Sequence, residues 1–157
     1  MRKSIVLRGY NPEDYDEILR LFYDTVHFVN AVDYSENQLN VWAPVNVDAG
    51  KWKNRLASDY TVVVEKENVI IGFGTLKDGK HFDLLYVHKD YQRIGTATLI
   101  ADDIENRARN YKTKAVTADS SITARPFFEK RGYKIVKNNE VLVNGQILLN
   151  YKMEKFL

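Results

Sequence analysis

Val87-His88-Lys89-Asp90-Tyr91-Gln92-Arg93-Ile94-Gly95-Thr96-Ala97 joins an apolar strand pattern to a long helical one, and its reading decides the fold. Gln92, Gly95 and Ala97 stand in the register Q/R-x-x-G-x-G/A at the head of that helix. A helix N-terminus made of small residues leaves backbone N–H groups unpaired and presents the positive end of the helix dipole, so it suits an anion. The segment reads as a pyrophosphate cradle, and a phosphate-bearing cofactor is the first expectation. The rival is a dinucleotide fold, whose fingerprint needs G-x-G-x-x-G early in a βαβ unit and an acid at the next strand end, roughly 20 residues on. Neither is present.

The chain has 157 residues, 45% of them hydrophobic, which is enough to bury one core, and it shows no linker, repeat or low-complexity segment. A single domain over 1–157 is expected. Net charge is +2, with Lys and Arg interspersed among acids, so no nucleic-acid partner is expected. The absence of cysteine rules out a disulfide frame, a thiolate metal site and a cysteine nucleophile, and fits a cytoplasmic protein. No apolar run approaches the roughly 20 residues that cross a bilayer, and no signal peptide is apparent, so no membrane partner is expected.

Working outward, Ser4 to Leu7 alternates as a first strand, and Asn11-Pro12-Glu13-Asp14 supplies a cap, a proline at the first helical position and early acids. Ile18, Leu21, Phe22, Thr25, Val26 and Val29 recur at helical steps until about Asn30. Ser35-Glu36-Asn37-Gln38 has capping-box spacing and opens a short helix toward Trp42; another spans Asp48 to Ala57. Strands then run from Tyr60 to Glu65, Val69 to Leu76 and His81 to Val87, joined by turns at Glu67-Asn68 and Asp78-Gly79. After the glycine turn, Ala97, Leu99, Ile100, Ile104 and Ala108 form a helical stripe to about Asn110. A strand at Ala115 to Ala118, a helix from Ser121 to Lys130 ended by Gly132, and strands at Tyr133 to Lys137 and Ile147 to Met153 complete an α+β sheet.

Strand, Q-x-x-G-x-A turn, helix, strand and then Ala124-Arg125-Pro126-Phe127-Phe128-Glu129-Lys130-Arg131-Gly132-Tyr133 follow in that order. This succession resembles the GNAT superfamily of acyl-CoA N-acyltransferases, and the last segment is similar to its A-x-x-F-Y-E-K-x-G-F signature. More narrowly, Asp119 to Glu129, with Tyr34-Ser35 and Gln38 to Trp42, resembles the YafP-type bacterial members. The resemblance implies an α+β GNAT fold, a mixed and mostly antiparallel sheet of about seven strands flanked by helices. It implies acetyl-CoA as co-substrate, no metal, and an N-acetyltransferase in which an amine attacks the thioester directly, with positioning as the main source of rate.

By the same resemblance, Leu85, Tyr86 and Val87 line the pantetheine arm, and the Leu85 N–H is the donor to the developing oxyanion, worth roughly 3 kcal/mol. Gln92, Arg93, Ile94, Gly95, Thr96 and Ala97 hold the pyrophosphate, although Arg93 reads equally as a solvated helix-end cation. Ser121 either contacts the pantetheine or simply caps a helix, and Phe127 and Phe128 pack beside the cofactor. Phe128 departs from the pattern: many members place a proton-donating tyrosine there, and phenylalanine donates nothing. A catalytically silent acyl-CoA-binding module is therefore the alternative to an enzyme.

Strand alternation groups His81, Asp83, Leu85 and Val87 on one face and Phe82, Leu84 and Tyr86 on the other. His81 and Asp83 are the candidate bases on the cofactor side; His81 also reads as a surface histidine beside a turn, and Asp83 could instead attract a cationic amine. Asp33, Tyr34 and Trp42 are the candidate acceptor contacts, with His27, Asn30 and Gln38 to watch beside them; aromatics at this spacing read more often as core, Gln38 also completes its capping box, and His27 reads most simply as a helix surface residue. The expected partner is a small-molecule or peptide amine, with the chain a monomer or homodimer.

Overall fold

A computed structural model describes residues 4–157. Strand β1 (Ile5–Gly9) leads through a 3₁₀ turn at Pro12–Asp14 into helix α1 (Tyr15–Phe28). The Asp14 carboxylate accepts from the Asn11 backbone N–H at 2.9 Å and from Arg8 at 2.8 and 2.9 Å, which pins the start of α1 to β1. Helix α1 stops at Phe28, and a second 3₁₀ turn, Asn30–Val32, carries the chain to α2 (Glu36–Trp42). The expected capping box is present: Ser35 Oγ accepts from the Gln38 N–H at 3.2 Å, and Gln38 Oε1 accepts from the Ser35 N–H at 2.8 Å. Helix α3 (Ala49–Ser58) is capped by Asp48, whose Oδ1 accepts from the Lys51 N–H at 3.1 Å.

Strands β2 (Tyr60–Lys66), β3 (Val69–Lys77) and β4 (His81–Val87) form an antiparallel meander. Helix α4 (Thr96–Asn110), β5 (Ala115–Ser121), α5 (Arg125–Lys130), β6 (Lys134–Val143) and β7 (Gln146–Phe156) follow. The order across the sheet is β1-β2-β3-β4-β5-β7-β6, and only the β4–β5 pair is parallel, so the seven-stranded mixed sheet expected from sequence is the one formed. The boundaries differ most in the last hairpin and at the end of β5, which runs to Ser121 and not Ala118. The last hairpin is far longer than Tyr133–Lys137 and Ile147–Met153, because β6 is an edge strand whose polar middle, Asn138-Asn139-Glu140, carries no apolar alternation to read. Ser121 ends β5, and its Oγ accepts from the Ala124 N–H at 3.0 Å, capping the turn ahead of α5 and not the helix itself.

Apolar residues are buried on both faces of the sheet. On one, Ile100 and Ile104 of α4 meet Val62, Val64, Ile71, Phe82 and Met153; on the other, Ile18, Phe22 and Val26 of α1 meet Val63, Phe73 and Leu84. Helix α4 comes so close that a Cβ on Gly74 would lie 2.5 Å from Ile100 Cγ2, so the glycine sets the helix-to-sheet spacing. A register shift between Thr75 and Leu76 leaves Asp83 as an extra residue in β4, a β-bulge. The bulge overturns the simple alternation expected for this strand: Phe82 and Leu85 pack on the α4 face, and Leu84 and Tyr86 pack on the α1 face. Among the described residues no helix is long and apolar enough to cross a membrane, and no group of three or more His, Cys, Asp or Glu stands ready to hold a metal ion.

Two carboxylates give opposite pH dependences. Glu105 of α4 is 1% exposed and accepts from Arg131 Nε at 2.6 Å, Lys155 Nζ at 2.7 Å and the Tyr133 hydroxyl at 2.9 Å, tying α4 to the end of α5 and to β7. Burial alone would raise its pKa, but these three donors outweigh it and hold the carboxyl below its ordinary value. Its contribution is complete above the unfolded-state value of about 4.3 and is lost as pH falls through the lower folded value. Glu105→Gln is expected to cost about 3 kcal/mol at pH 7 by urea unfolding, with the difference from wild type shrinking below about pH 4. Asp59, just after α3, is the reverse: burial first, then the Asp83 charge, raises its pKa, and its Oδ2 has no hydrogen-bond partner among the described residues. Ionisation is penalised in the folded state only, so Asp59→Asn is expected to raise the melting temperature at pH 7 and to lose that advantage in acid.

Candidate active site

Strands β4 and β5 pair only at His81 with Thr117 and Phe82 with Ala118, and no pairing follows beyond Phe82. The bulge sits at that divergence. Backbone geometry then fixes what faces the gap. The His88 N–H donates to the Ile71 carbonyl at 2.8 Å, so antiparallel alternation bonds Tyr86 to Phe73 and Leu84 to Thr75. The N–H and C=O groups of Leu85 and Val87 therefore turn away from β3, into the gap. The gap opens on a cavity of about 460 Å³ that reaches from Asp83 and Trp42 to the first turn of α4.

At the α4 end, Gly95 is the N-cap with φ +90, and no side chain caps that terminus. No atom lies within 4 Å of where a Gly95 Cβ would project, so the approach to the first-turn N–H groups is open. Arg93 holds a left-handed φ of +61, which turns the loop tightly enough to bring it back over the helix start. Gln92, Arg93, Gly95, Thr96 and Ala97 all line the cavity, whereas Ile94, 47% exposed, does not. The Gln92 side chain is already engaged: its Nε2 donates to the Val87 carbonyl at 2.7 Å and the His88 carbonyl at 3.3 Å, bracing the loop against β4. Thr25 of α1 donates to the same Val87 carbonyl at 2.9 Å. The open donors of this helix start fit a pyrophosphate, and the carboxylate in the loop, Asp90, is paired with Lys89 at 3.5 Å.

At the opposite end lies a charged cluster. Asp83 Oδ2 accepts from Arg55 Nε at 2.9 Å and Nη2 at 2.7 Å. His81 Nδ1 is 2.7 Å from Thr117 Oγ1, and its Nε2 stands 3.7 Å from Asp83 Oδ1 and 3.5 Å from Asp119 Oδ2. Asp83 and Asp119 line the cavity, and His81, which does not, pairs with Thr117 one step before the strands part. Tyr86, expected beside the pantetheine, lines the cavity with its side chain on the α1 face: its hydroxyl accepts from Trp42 Nε1 at 3.2 Å, and its ring meets Phe22 and Phe73. Burial pushes the Tyr86 phenol up to about 12, so it stays protonated and keeps its O–H to donate.

Arg55 and Asp119 escaped the sequence reading. Arg55 belongs to no local motif, and Asp119, though it opens the Asp119–Glu129 segment, meets His81 only through the parallel β4–β5 pairing. Of the three candidate acceptor contacts, only Trp42 lines the cavity. Asp33 accepts from Thr123 Oγ1 at 2.8 Å. The Tyr34 hydroxyl donates to the Leu149 carbonyl at 2.6 Å and accepts from the Ile122 N–H at 2.9 Å, joining β7 to the turn after β5. Gln38 Nε2 braces α2 against the Ile147 carbonyl at 2.8 Å, and His27 stacks on Tyr23 while its Nε2 meets the Ala43 carbonyl at 2.7 Å. Asn30 lines the cavity and reaches Ser121 Oγ at 3.5 Å. Phe127 and Phe128 line it too, and Phe128 is held edge-on by Phe82, Phe127 and Tyr133 at 5.6, 5.5 and 5.0 Å. Tyr133 offers no substitute acid, since its hydroxyl is spent on Glu105 and burial drives its pKa far up.

The family described as acetyltransferase (GNAT) domain matches residues 30–155. The uncharacterized N-acetyltransferase YafP of Escherichia coli strain K12 is 30% identical over 151 residues, 96% of this chain and 95% of that protein. A GCN5-related N-acetyltransferase from Rhodopseudomonas palustris superposes with a TM-score of 0.94 at 37% identity, covering 100% of this chain and 99% of that one. The fold is also that of the PaiA N-acetyltransferase from Thermoplasma acidophilum, solved with coenzyme A, at TM-score 0.79 and 16% identity over 98% of this chain and 99% of that one. On these matches the chain belongs to the GNAT family of N-acetyltransferases.

Proposed function

We propose that this protein transfers an acetyl group from acetyl-CoA to a primary amine, the two held side by side across the gap between β4 and β5. The observation that carries the reading is the parting of β4 from β5 at the Asp83 bulge, with the Leu85 and Val87 backbone turned into a cavity that ends on the uncapped start of α4. Acetyl-CoA supplies an activated thioester. Backbone donors from Gly95 to Ala97 bind its pyrophosphate, Arg93 adds charge at the rim, and Gln92 acts through the loop it braces. Leu85 directs its N–H at the charge that develops on the thioester oxygen. Phe127, Phe128 and Ser121 pack along the pantetheine arm.

The acceptor enters from the side of Trp42 and Tyr86. An amine arrives as an ammonium ion, and the Asp83 and Asp119 carboxylates attract it. Arg55 occupies Asp83 Oδ2, which leaves Oδ1 for the acceptor and for His81. The ammonium first yields one proton to His81 through water, which frees the nitrogen lone pair; the C–N bond then forms as the C–S bond breaks, the second amine proton leaves to solvent, and the departing thiolate takes a proton from solvent. Phe128 donates none.

Calorimetric titration with acetyl-CoA, coenzyme A and NAD, followed by thiol release across an amine panel, tests the reading. Acetyl-CoA and coenzyme A are expected to bind and NAD is not; failure of coenzyme A to bind overturns the site. Gly95→Asp introduces an anion and a side chain at a positive φ where phosphates approach, and is expected to weaken acetyl-CoA binding at least tenfold, roughly the effect of 1.4 kcal/mol. Asp83→Asn is expected to lower kcat/KM by about 100-fold while acetyl-CoA affinity stays unchanged. Thiol release that survives that substitution intact removes Asp83 from the chemistry.

A further inference from the structure

The charged end of the cavity holds donors as well as carboxylates. Arg55 gives Nε and Nη2 to a single oxygen, Asp83 Oδ2, at 2.9 and 2.7 Å, so the guanidinium meets that carboxylate side-on. A guanidinium carries five N–H donors, and this contact uses two of them. The remaining edge, Nη1 with the outer Nη2 proton, has no hydrogen-bond or ion-pair partner among the described residues, and the side chain is 40% exposed. The group lies over Trp52, 5.7 Å from the ring centroid, which steadies it where it stands.

A second donor faces the same space. The Tyr86 hydroxyl accepts from Trp42 Nε1 at 3.2 Å, which fixes its oxygen, while its own proton has no acceptor among the described residues. Asp83 and Tyr86 line one cavity, and the charges of Arg55 and Asp83 both act on the Tyr86 phenol. Against these donors stand two acceptors, Asp83 Oδ1 and Asp119 Oδ2, on either side of His81 Nε2 at 3.7 and 3.5 Å. A guest that brought only an ammonium would satisfy the carboxylates and leave the Arg55 edge and the Tyr86 proton unused. A guest with an anion one carbon from its nitrogen uses both sets, because its carboxylate reaches the guanidinium while its ammonium keeps Asp83 Oδ1. The end-on fork of an arginine is also the geometry that grips a carboxylate with two parallel bonds.

We propose that the acceptor is a free α-amino acid bound as its zwitterion, with the ammonium on Asp83 and Asp119 and the carboxylate on the outer edge of Arg55 and the Tyr86 hydroxyl. This rests on the amine-acetylating reading above and narrows it. A peptide N-terminus replaces the carboxylate with a neutral amide, and a simple amine has nothing there, so each leaves a charged donor without its partner. The reaction balances as for any primary amine. One proton leaves the nitrogen before attack and one after it, the thiolate takes one from solvent, and the products are an N-acetyl amino acid and coenzyme A.

Thiol release from acetyl-CoA, compared across the common α-amino acids, their carboxamides and the matching decarboxylated amines, tests this. The best amino acid is expected to exceed its carboxamide and its decarboxylated amine in kcat/KM by about tenfold or more. More of a carboxamide's nitrogen is free base at neutral pH, so titration alone would favour the carboxamide. Arg55→Gln is expected to erase the preference, raising KM for the amino acid about tenfold more than for the carboxamide and leaving acetyl-CoA affinity unchanged. The ratio is the readout, since Arg55 also holds Asp83 and the loss of that support falls on every acceptor alike. Arg55→Lys keeps the charge without the fork and is expected to restore part of the preference; Tyr86→Phe lowers it more weakly than Arg55→Gln. A carboxamide or plain amine turned over as well as the amino acid, or a preference that survives Arg55→Gln, overturns the proposal and leaves the transferase reading standing. Acetyl-CoA that binds but yields thiol with no acceptor overturns both.

Discussion

One extra residue in β4 is the constraint on which the rest of the site depends. Without the bulge at Asp83, β4 would continue alongside β5, and every backbone group from Leu85 to Val87 would be spent on a neighbour. With it, the strand keeps its bonds to β3 on one side and gives up its partner on the other. The same residue swings the side chains that follow, sending Leu84 and Tyr86 toward α1 and Leu85 toward α4. A single backbone irregularity thus opens a cleft and sorts its walls, one apolar and one charged.

The two halves of that cleft are supported differently. The end at α4 is shaped by main chain, with an uncapped helix start and a left-handed Arg93, while the Gln92 side chain braces the loop. The charged end depends on long side chains from distant elements, with Arg55 reaching in from α3 and Asp119 from β5. Helix α4 can serve the first only because Gly74 admits it close to the sheet and Glu105 anchors it from behind through Arg131, Lys155 and Tyr133.

Legibility in the sequence followed this same division. The tight turn from Gln92 to Ala97 ahead of α4 and the order of elements were readable because both are written in local spacing and period. The bulge was not, since residues 81–87 alternate well enough to read as a plain strand, and only the partner strand exposes the extra residue. That is why His81 and Asp83 were expected to share a face with Leu85 and Val87. Arg55 and Asp119 were missed for a related reason: they meet His81 and Asp83 through tertiary contact, with no fixed spacing along the chain. Asp33 and Tyr34 are suitable for an amine pocket by type, yet their polar atoms are used to join the turn after β5 to its neighbours.

The carbonyl of Val87 sets a further boundary. Its two lone pairs are taken by Thr25 and Gln92, one from each side of the strand end. A strand-like guest that adds to β4 meets a donor at the Val87 N–H but no free acceptor beside it, so pairing must resume one step deeper, at Leu85. The saturated carbonyl acts as a depth gauge: it lets an extended chain be read in one register and dictates how far its reactive end travels past the mouth.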